Sequence, residues 1–274
     1  MYPRAFEYQR ANSVQEAIQA LQGNEDAKII AGGHSLLPVM KLRLASPSLL
    51  VDISKVQELK NISVNGGATI GAGVTYNDLL ANDQLKASYP VLHECVASVG
   101  DVQVRNRGTV GGAAAHADPA ADIPAALLAL GAEFTAVGPN GERTIAADDF
   151  FIDILTTDLQ PDEVLTSIKL PAAAPKSAYE KFAHPASGYA IVGVAAVVGA
   201  DGVKVAITGS TYKATRLTAV EQALSGNVDA ASIDAAAEQI GDLDYAGDHF
   251  ASAEYRAHLT KVYVKRALKR AAGV

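Results

Sequence analysis

The stretch from Lys28 to Ser54, KIIAGGHSLLPVMKLRLASPSLLVDIS, decides how the chain is read. It opens on "KII" and closes on "LLVDIS", two short apolar runs rich in branched residues, the composition of buried strands. Between them the run breaks at Gly32 and Gly33, passes through His34 and Ser35, and resumes as the basic, apolar segment "LLPVMKLRL". Adjacent glycines reach backbone angles closed to other residues, and they let consecutive N–H groups converge on one point. Such a concavity holds an anion, most often a phosphate. A Gly-Gly pair on its own is more commonly a tight turn, so the rest of the chain has to decide between the two.

The chain has 274 residues, 49% hydrophobic and 19% charged, a globular balance with room for two domains. Acidic residues outnumber basic ones, 30 to 23, and a net charge of −7 argues against a nucleic-acid or anionic-membrane partner. The most apolar segments, "IPAALLALGA" and "YAIVGVAAVVGA", are too short to span a bilayer. "MYPRAFEYQR" carries neither an apolar signal core nor a twin-arginine pair. The expectation is a cytoplasmic protein with no integral membrane segment.

Cys95 is the single cysteine. One thiol makes no intrachain disulfide and no CxxC metal site, and it falls short of the ligands an iron–sulfur cluster takes. It lies in "PVLHECVASVG", which reads as a helix, so a buried, inert thiol is expected. Any redox chemistry proceeds here without a cluster carried by this chain.

Along the sequence, Ser13 to Gly23 reads as a short helix, with a capping serine, Glu16 three residues on, and a terminal glycine. "NISVNGGATIGAGVTY" reads as a hairpin turning at Asn65-Gly66. "TYNDLLANDQL" and "YPVLHECVASVG" read as helical, whereas Asp101 to Asp122 shows little hydrophobic periodicity. "EVLTSIKL" completes a strand, and "LPAAAPKS" (Leu170 to Ser177) is the candidate linker. Beyond it, "YEKFAH", "YAIVGVAAVVGADG" and "VKVAITGST" predict an antiparallel meander that turns at Asp201-Gly202. Three helical stretches close the chain, the last with Tyr255, Leu259, Val262 and Arg266 three or four residues apart on one largely apolar face.

A second glycine site stands in "SVGDVQVRNRGTVGGAAAHADPAADIPAALLALGA". Gly108, Gly111 and Gly112 provide another turn able to present N–H groups, Thr109 adds a hydroxyl, and Asp118 and Asp122 come next. Two glycine turns and a carboxylate suit a dinucleotide, with N–H groups on the pyrophosphate and an acid on a ribose or adenine group. The common fingerprints are absent: no GxGxxG joins a strand to a helix and no GxxxxGK[ST] occurs, so neither a Rossmann domain nor a P-loop is expected. His116 with Asp118 and Asp122 has ligand chemistry, but a glycine–alanine loop with one histidine is more often structural or cofactor-facing, and no metal is assigned. "VRNRG" reads as a solvated basic turn.

"AGGHSLLPVMKLRL" followed by "GDVQVRNRGTVGGAAAHADPAAD" closely resembles the FAD-binding medium subunit of the molybdenum hydroxylases, the xanthine dehydrogenase and aerobic carbon monoxide dehydrogenase family. The carbon monoxide dehydrogenase branch is nearest in wording. "DFF", "YEKF", "ASGYAIVGVAA" and "YRAHLTKVYVKRAL" extend the resemblance over nearly the whole chain. It implies an α+β fold: over residues 1–172, a FAD-binding domain of the vanillyl-alcohol oxidase and para-cresol methylhydroxylase type, in two subdomains split near residue 55. A small α+β domain, a three-stranded antiparallel sheet with helices, would occupy 173–274.

The resemblance also implies site residues. Ala31, Gly32, Gly33, His34 and Ser35 match the first pyrophosphate loop, with Leu36 beside it. Thr109, Val110, Gly111, Gly112 and Ala113 match the second. Val99 matches a backbone position near the cofactor and Asp122 an acid on the FAD. Leu165 and Lys181 match positions beside the isoalloxazine ring, and Tyr189 an aromatic over the flavin in some members. For His34, a turn residue whose ring bonds backbone stands equal to a cofactor contact. No catalytic residue is assigned.

The same resemblance implies a noncovalent FAD and an electron-transfer oxidoreductase subunit, as in carbon monoxide or aldehyde dehydrogenases. Electrons would arrive from [2Fe-2S] clusters in a small iron–sulfur subunit, after oxidation of substrate in a large molybdopterin subunit. The assembly implied is a dimer of heterotrimers. An external acceptor, such as a quinone, NAD or oxygen, would take the electrons. The alternatives are a free-standing flavin oxidase or dehydrogenase acting directly on a small substrate, and an assembly module without its flavin. The first would need a larger cap and a base near the ring; both intact glycine loops argue against the second.

Overall fold

The computed structural model describes all 274 residues. The chain begins with a small parallel sheet: β1 (Glu7–Arg10), β2 (Ala27–Ile30) and β3 (Leu49–Asp52), in the order β1-β3-β2. Between β1 and β2 runs α1 (Val14–Gln22), started by the Ser13 side chain, which accepts from the Glu16 N–H. Val14, Ala17, Ile18 and Leu21 form its buried face, and they pack with Ala27, Val51 and Ile53 of the sheet. The basic, apolar segment after Ser35 is a helix, α2 (Leu36–Lys41). Pro38 is tolerated there because it falls in the first turn, where no N–H partner is lost. All three strands are parallel, so the glycine loop leaving β2 stands at their shared carboxyl edge, the usual side for ligands in parallel sheets.

The middle of the chain builds a five-stranded antiparallel sheet with helices against it. β4 (Ile62–Val64) and β5 (Ala68–Gly71) form the predicted hairpin, with Gly66 at φ +71°. Helices α3 (Tyr76–Leu80), α4 (Asp83–Ser88), α5 (Pro90–Ala97), α6 (Val102–Arg105), α7 (Val110–His116) and α8 (Asp122–Leu130) come after it. Then come β6 (Glu133–Gly138), β7 (Gly141–Ala146), the one-turn α9 (Ala147–Phe150), the pair β8 (Phe151–Asp153) and β9 (Thr156–Thr157), and β10 (Val164–Leu170). The sheet order is β4-β5-β10-β6-β7. Every residue of α8 is buried, which suits a helix apolar all round. It is the central strut of the molecule.

The last part is the meander β11 (Ser177–Ala183), β12 (Ala190–Gly199) and β13 (Gly202–Thr208), turning at Asp201-Gly202 with Gly202 at φ +107°. A fourth, two-residue strand, β14 (Thr215–Arg216), pairs with Ala206 and Ile207. The sheet therefore has four strands rather than the three expected: the chain doubles back along β13 before it leaves. Helices α10 (Thr218–Ala223), α11 (Ala230–Ala237) and α12 (Ala253–Ala272) complete the chain.

β12 and β13 are buried on both faces, which explains their near-continuous apolar sequence. Ala195, Val197 and Ala206 face the core around α8, while Val192, Val194, Ala196, Val205 and Ile207 face the core around α12. The stretch read as a linker is pinned down: Tyr89 Oη donates to the Pro171 carbonyl (2.6 Å) and the Ala174 N–H to Ser88 (2.8 Å). No helix is long and apolar enough to cross a membrane.

Candidate cofactor site

The first glycine loop leaves β2 at Ala31 and ends where α2 begins. Gly33 sits at φ +76°, a conformation that favours glycine. None of the N–H groups from Gly32 to Leu36 donates to any atom of the chain. These residues are half-buried, His34 exposed, so the five N–H groups are open to an acceptor from outside the chain. Ser35 makes no capping bond either, leaving its hydroxyl available. The His34 ring lies on its own loop, Nδ1 3.3 Å from the Gly32 carbonyl, as the turn reading of that residue expects.

The second loop, Thr109 to Ala113, is built differently. The Val110 N–H donates to Val74 O (3.0 Å), Gly111 to Ala72 O (3.0 Å) and Ala113 to Thr109 O (3.0 Å). The Gly112 N–H donates to Thr109 Oγ1, also at 3.0 Å. The expected role of Gly111 and Gly112, offering N–H groups to a pyrophosphate, is therefore not what the structure shows: those donors are spent on β5's exit and on the cap of α7. Glycine is needed at 111 for packing instead, since a Cβ there would come within 2.6 Å of the Ala72 Cα. Thr109, 6% exposed, keeps an N–H with no partner in the chain and a hydroxyl that, accepting from Gly112, retains its hydrogen for another acceptor. The two loops touch through Gly32, where a Cβ would overlap the carbonyl of Arg107.

A third element lies where α8 begins. Lys181 Nζ stands 2.8 Å from Asp122 Oδ2, with the two side chains only 7% and 6% exposed. The Tyr179 hydroxyl donates to Asp122 Oδ1, and Lys181 also donates to the Ser98 carbonyl at 3.2 Å. Asp122, expected as an acid on the FAD, bonds Lys181 and Tyr179 within the chain. Burial pushes its carboxyl above the usual range, opposed by Lys181 and Tyr179. Burial likewise holds the Cys95 thiol well up, with Asp122 adding to it, so the cysteine is buried and protonated. An ammonium has three donors, and Lys181 spends two inside the chain; the third is unpartnered.

Val99 comes directly after the Ser98 carbonyl, and its own carbonyl accepts from Arg105 (2.9 Å), which folds the first arginine of "VRNRG" back onto the chain. Tyr189 is 46% exposed and closes the turn after β11, its neighbour Ala190 donating to Ala120 at 3.3 Å beside the start of α8. Its phenol is pushed up by burial and by Asp118 and Asp122. Tyr76, buried and packed against Gly108, has its phenol raised by burial and by Cys95, Asp122 and Tyr189. Leu165 is buried in the core of the middle sheet, beside a bulge of β10 at Thr166. Sequence reading had not singled out Tyr179, Ser98 or Tyr76. Tyr179 carried a signal, being two residues before Lys181 and so on the same face of one strand.

The chain thus carries a loop of free N–H donors with the segment before a second loop packed against it, and a buried ion pair with one ammonium N–H unspent. A dinucleotide fits that donor set: the free N–H groups of 32–36 suit a pyrophosphate and the polar wall at Lys181 suits a ring with carbonyl acceptors. Residues 4–173 match the FAD-binding domain of molybdopterin dehydrogenases, and residues 177–271 the carbon monoxide dehydrogenase flavoprotein C-terminal domain. The carbon monoxide dehydrogenase medium chain of Hydrogenophaga pseudoflava is 39% identical, covering 99% of this chain and 98% of that one. The glyceraldehyde dehydrogenase medium chain of Sulfolobus acidocaldarius is 37% identical, over 99% and 100%. A solved carbon monoxide dehydrogenase from Hydrogenophaga pseudoflava superposes with a TM-score of 0.95 at 39% identity, covering 100% of this chain and 99% of that one. Quinoline 2-oxidoreductase from Pseudomonas putida superposes at 0.93 and 34% identity, over 100% and 99%. The chain belongs to the family of FAD-binding medium subunits of heteromeric molybdenum hydroxylases, and its cofactor is FAD.

Proposed function

We propose that this chain takes electrons from the [2Fe-2S] clusters of a small iron–sulfur subunit and passes them to an external acceptor, substrate being oxidised in a large molybdopterin subunit. The assembly is a dimer of heterotrimers in the cytoplasm. The observation that carries this reading is the run of five free N–H groups at Gly32 to Leu36, in a chain whose one thiol is buried and cannot hold a cluster.

FAD supplies the electron-carrying chemistry, and the protein supplies binding, orientation and field. In this reading the loop from Ala31 to Ser35, with Leu36 beside it, binds the pyrophosphate through aligned N–H dipoles, which suits an acidic chain holding an anionic cofactor. Thr109 adds its hydroxyl and N–H from the second loop, and Val110, Gly111, Gly112 and Ala113 fix that loop in place. Lys181, held by Asp122 and the Ser98 carbonyl next to Val99, orients its remaining N–H toward the flavin ring. Leu165 forms apolar wall, and Tyr189, an exposed residue, covers the ring from solvent. Residues 1–172 form the FAD-binding part and 173–274 the C-terminal part.

Anaerobic stopped-flow mixing tests the reading. Hydroxylase substrates added to the FAD-loaded chain alone should leave the flavin oxidised, and adding both partner subunits should bleach it. Rapid bleaching by a small organic substrate without partners would instead make the chain a free-standing flavoenzyme.

A further inference from the structure

Tyr179 has no role in the electron-transfer reading, yet it is the best-fixed side chain at the ion pair. Its main chain is clamped from two helices: the N–H donates to Glu94 Oε2 of α5 (2.9 Å), and its carbonyl accepts from Arg270 of α12 (2.7 Å). Arg270 also pairs with Glu94 and with Glu180. Its ring crosses to the neighbouring strand at Gly193, the residue that pairs with Lys181. A Cβ at 193 would overlap the Tyr179 hydroxyl and lie 2.8 Å from Thr208 Cγ2. Gly193 is therefore a notch that admits the phenol, and the hydroxyl reaches Asp122 through it. Burial and Asp122 keep that phenol protonated, so it remains a donor.

We propose that Tyr179 is a positioning residue for the flavin site: by occupying Asp122 Oδ1 through the Gly193 notch, it keeps Lys181 from closing onto both carboxylate oxygens, so that one ammonium N–H stays directed at the cofactor. The proposal rests on the reading that FAD lies against Lys181. The donor count is the argument. Lys181 has three N–H groups; one goes to Oδ2 and one to Ser98 O. If Oδ1 lost its phenol, a buried carboxylate oxygen would be left bare, and such an atom recruits the nearest donor. That donor is the third N–H of Lys181. The carboxylate would also be less neutralised, and both changes make the field at the ring more negative and disfavour the reduced, anionic flavin.

The test uses the assembled complex and reads the midpoint potential of the bound FAD from the flavin absorbance, with FAD affinity measured by fluorescence on the full chain. Tyr179→Phe should lower the two-electron reduction equilibrium about tenfold, about 30 mV, with FAD affinity within about threefold of the parent. Gly193→Ala, which displaces the phenol without deleting it, should shift the potential in the same direction. The double variant should shift it no further than Tyr179→Phe alone. Lys181→Gln is the control on the underlying reading and should lower the potential as well. An unchanged or raised potential in Tyr179→Phe, with Lys181→Gln lowered, overturns the proposal alone. No shift in either overturns the placement of FAD at Lys181. A folded Tyr179→Phe that no longer binds FAD also overturns the proposal, because the tyrosine would then be structural. If Tyr179→Phe does not fold, Gly193→Ala decides by the same reading.

Discussion

Gly32 of the first loop and Arg107, two residues ahead of the second, are packed main chain to main chain, so closely that a Cβ on Gly32 would overlap the Arg107 carbonyl oxygen and approach its carbonyl carbon to 2.7 Å. Residues 75 positions apart in sequence thus set the spacing between the two loops.

Gly32→Ala should therefore push the loops apart. Backbone atoms cannot give way as a flexible side chain does, so overpacking of about 1–3 kcal/mol is expected, together with at least tenfold weaker FAD binding. Thermal melting and fluorescence titration measure the two effects. A variant that melts lower but binds FAD normally would separate the contact from the site.

Gly111 makes a different prediction. Its neighbours are the Cβ, Cα and carbonyl oxygen of Ala72 at the β5 exit, all within 2.6 Å of where a Cβ would stand. Gly111→Ala should therefore lower the melting temperature, and Ala72→Gly, which leaves the two backbone atoms in place, should repair little of the loss. A double variant that melts like the parent would show that the Ala72 side chain alone is the obstacle.

Asp122 and Lys181 are a buried pair, and removing one partner leaves an uncompensated charge in the interior. Asp122→Asn should destabilise the chain by about 3 kcal/mol, measured by urea unfolding. Asp122→Asn combined with Lys181→Met replaces the pair by neutral groups and should recover much of that loss, without restoring the parent's flavin potential.

Away from the site, Arg143 clamps Glu163 with two bonds of 2.7 and 2.8 Å, and pairs with Asp158 at 2.6 Å. The guanidinium holds the Glu163 carboxyl below its ordinary value, against a smaller opposing effect of burial. A carboxyl depressed in the folded state stabilises the fold above its unfolded pKa, and that contribution disappears as pH falls through the folded value. Glu163→Gln should cost on the order of 1 kcal/mol at neutral pH, the partly exposed arginine limiting the gain. The difference should shrink as pH falls through the depressed folded value, a trend that urea titrations across pH would display.

Much of this was legible in the sequence where the signal was local. Ser13 with Glu16 marked the start of α1, Asp201-Gly202 the hairpin of β12 and β13, and the two glycine runs the loops. The helix α2 was not legible, because Pro38 and a mixed apolar and basic composition hide a short helix whose proline falls in the first turn. The reason for Gly111 was not legible either: it lies in Ala72, 39 positions away, and only the tertiary contact reveals it. Asp122 and Lys181 each stand in a motif of the sequence, but nothing local marks them as partners of one another. Tyr179 shows how near the limit lies. Strand periodicity put it on the face of Lys181, and only Gly193 on the next strand explains why its hydroxyl reaches Asp122.

The central claim is that the first loop supplies the donors for the cofactor while the second loop's N–H groups are already committed to the fold. Amide hydrogen exchange on the full chain, with and without FAD, tests it most directly. The prediction is strong FAD-dependent protection at Gly32 to Leu36, with Val110 to Ala113 slow in both states and changed little. FAD bound with no added protection at Gly32 to Leu36, or with its main effect on Gly111 and Gly112, would contradict the account.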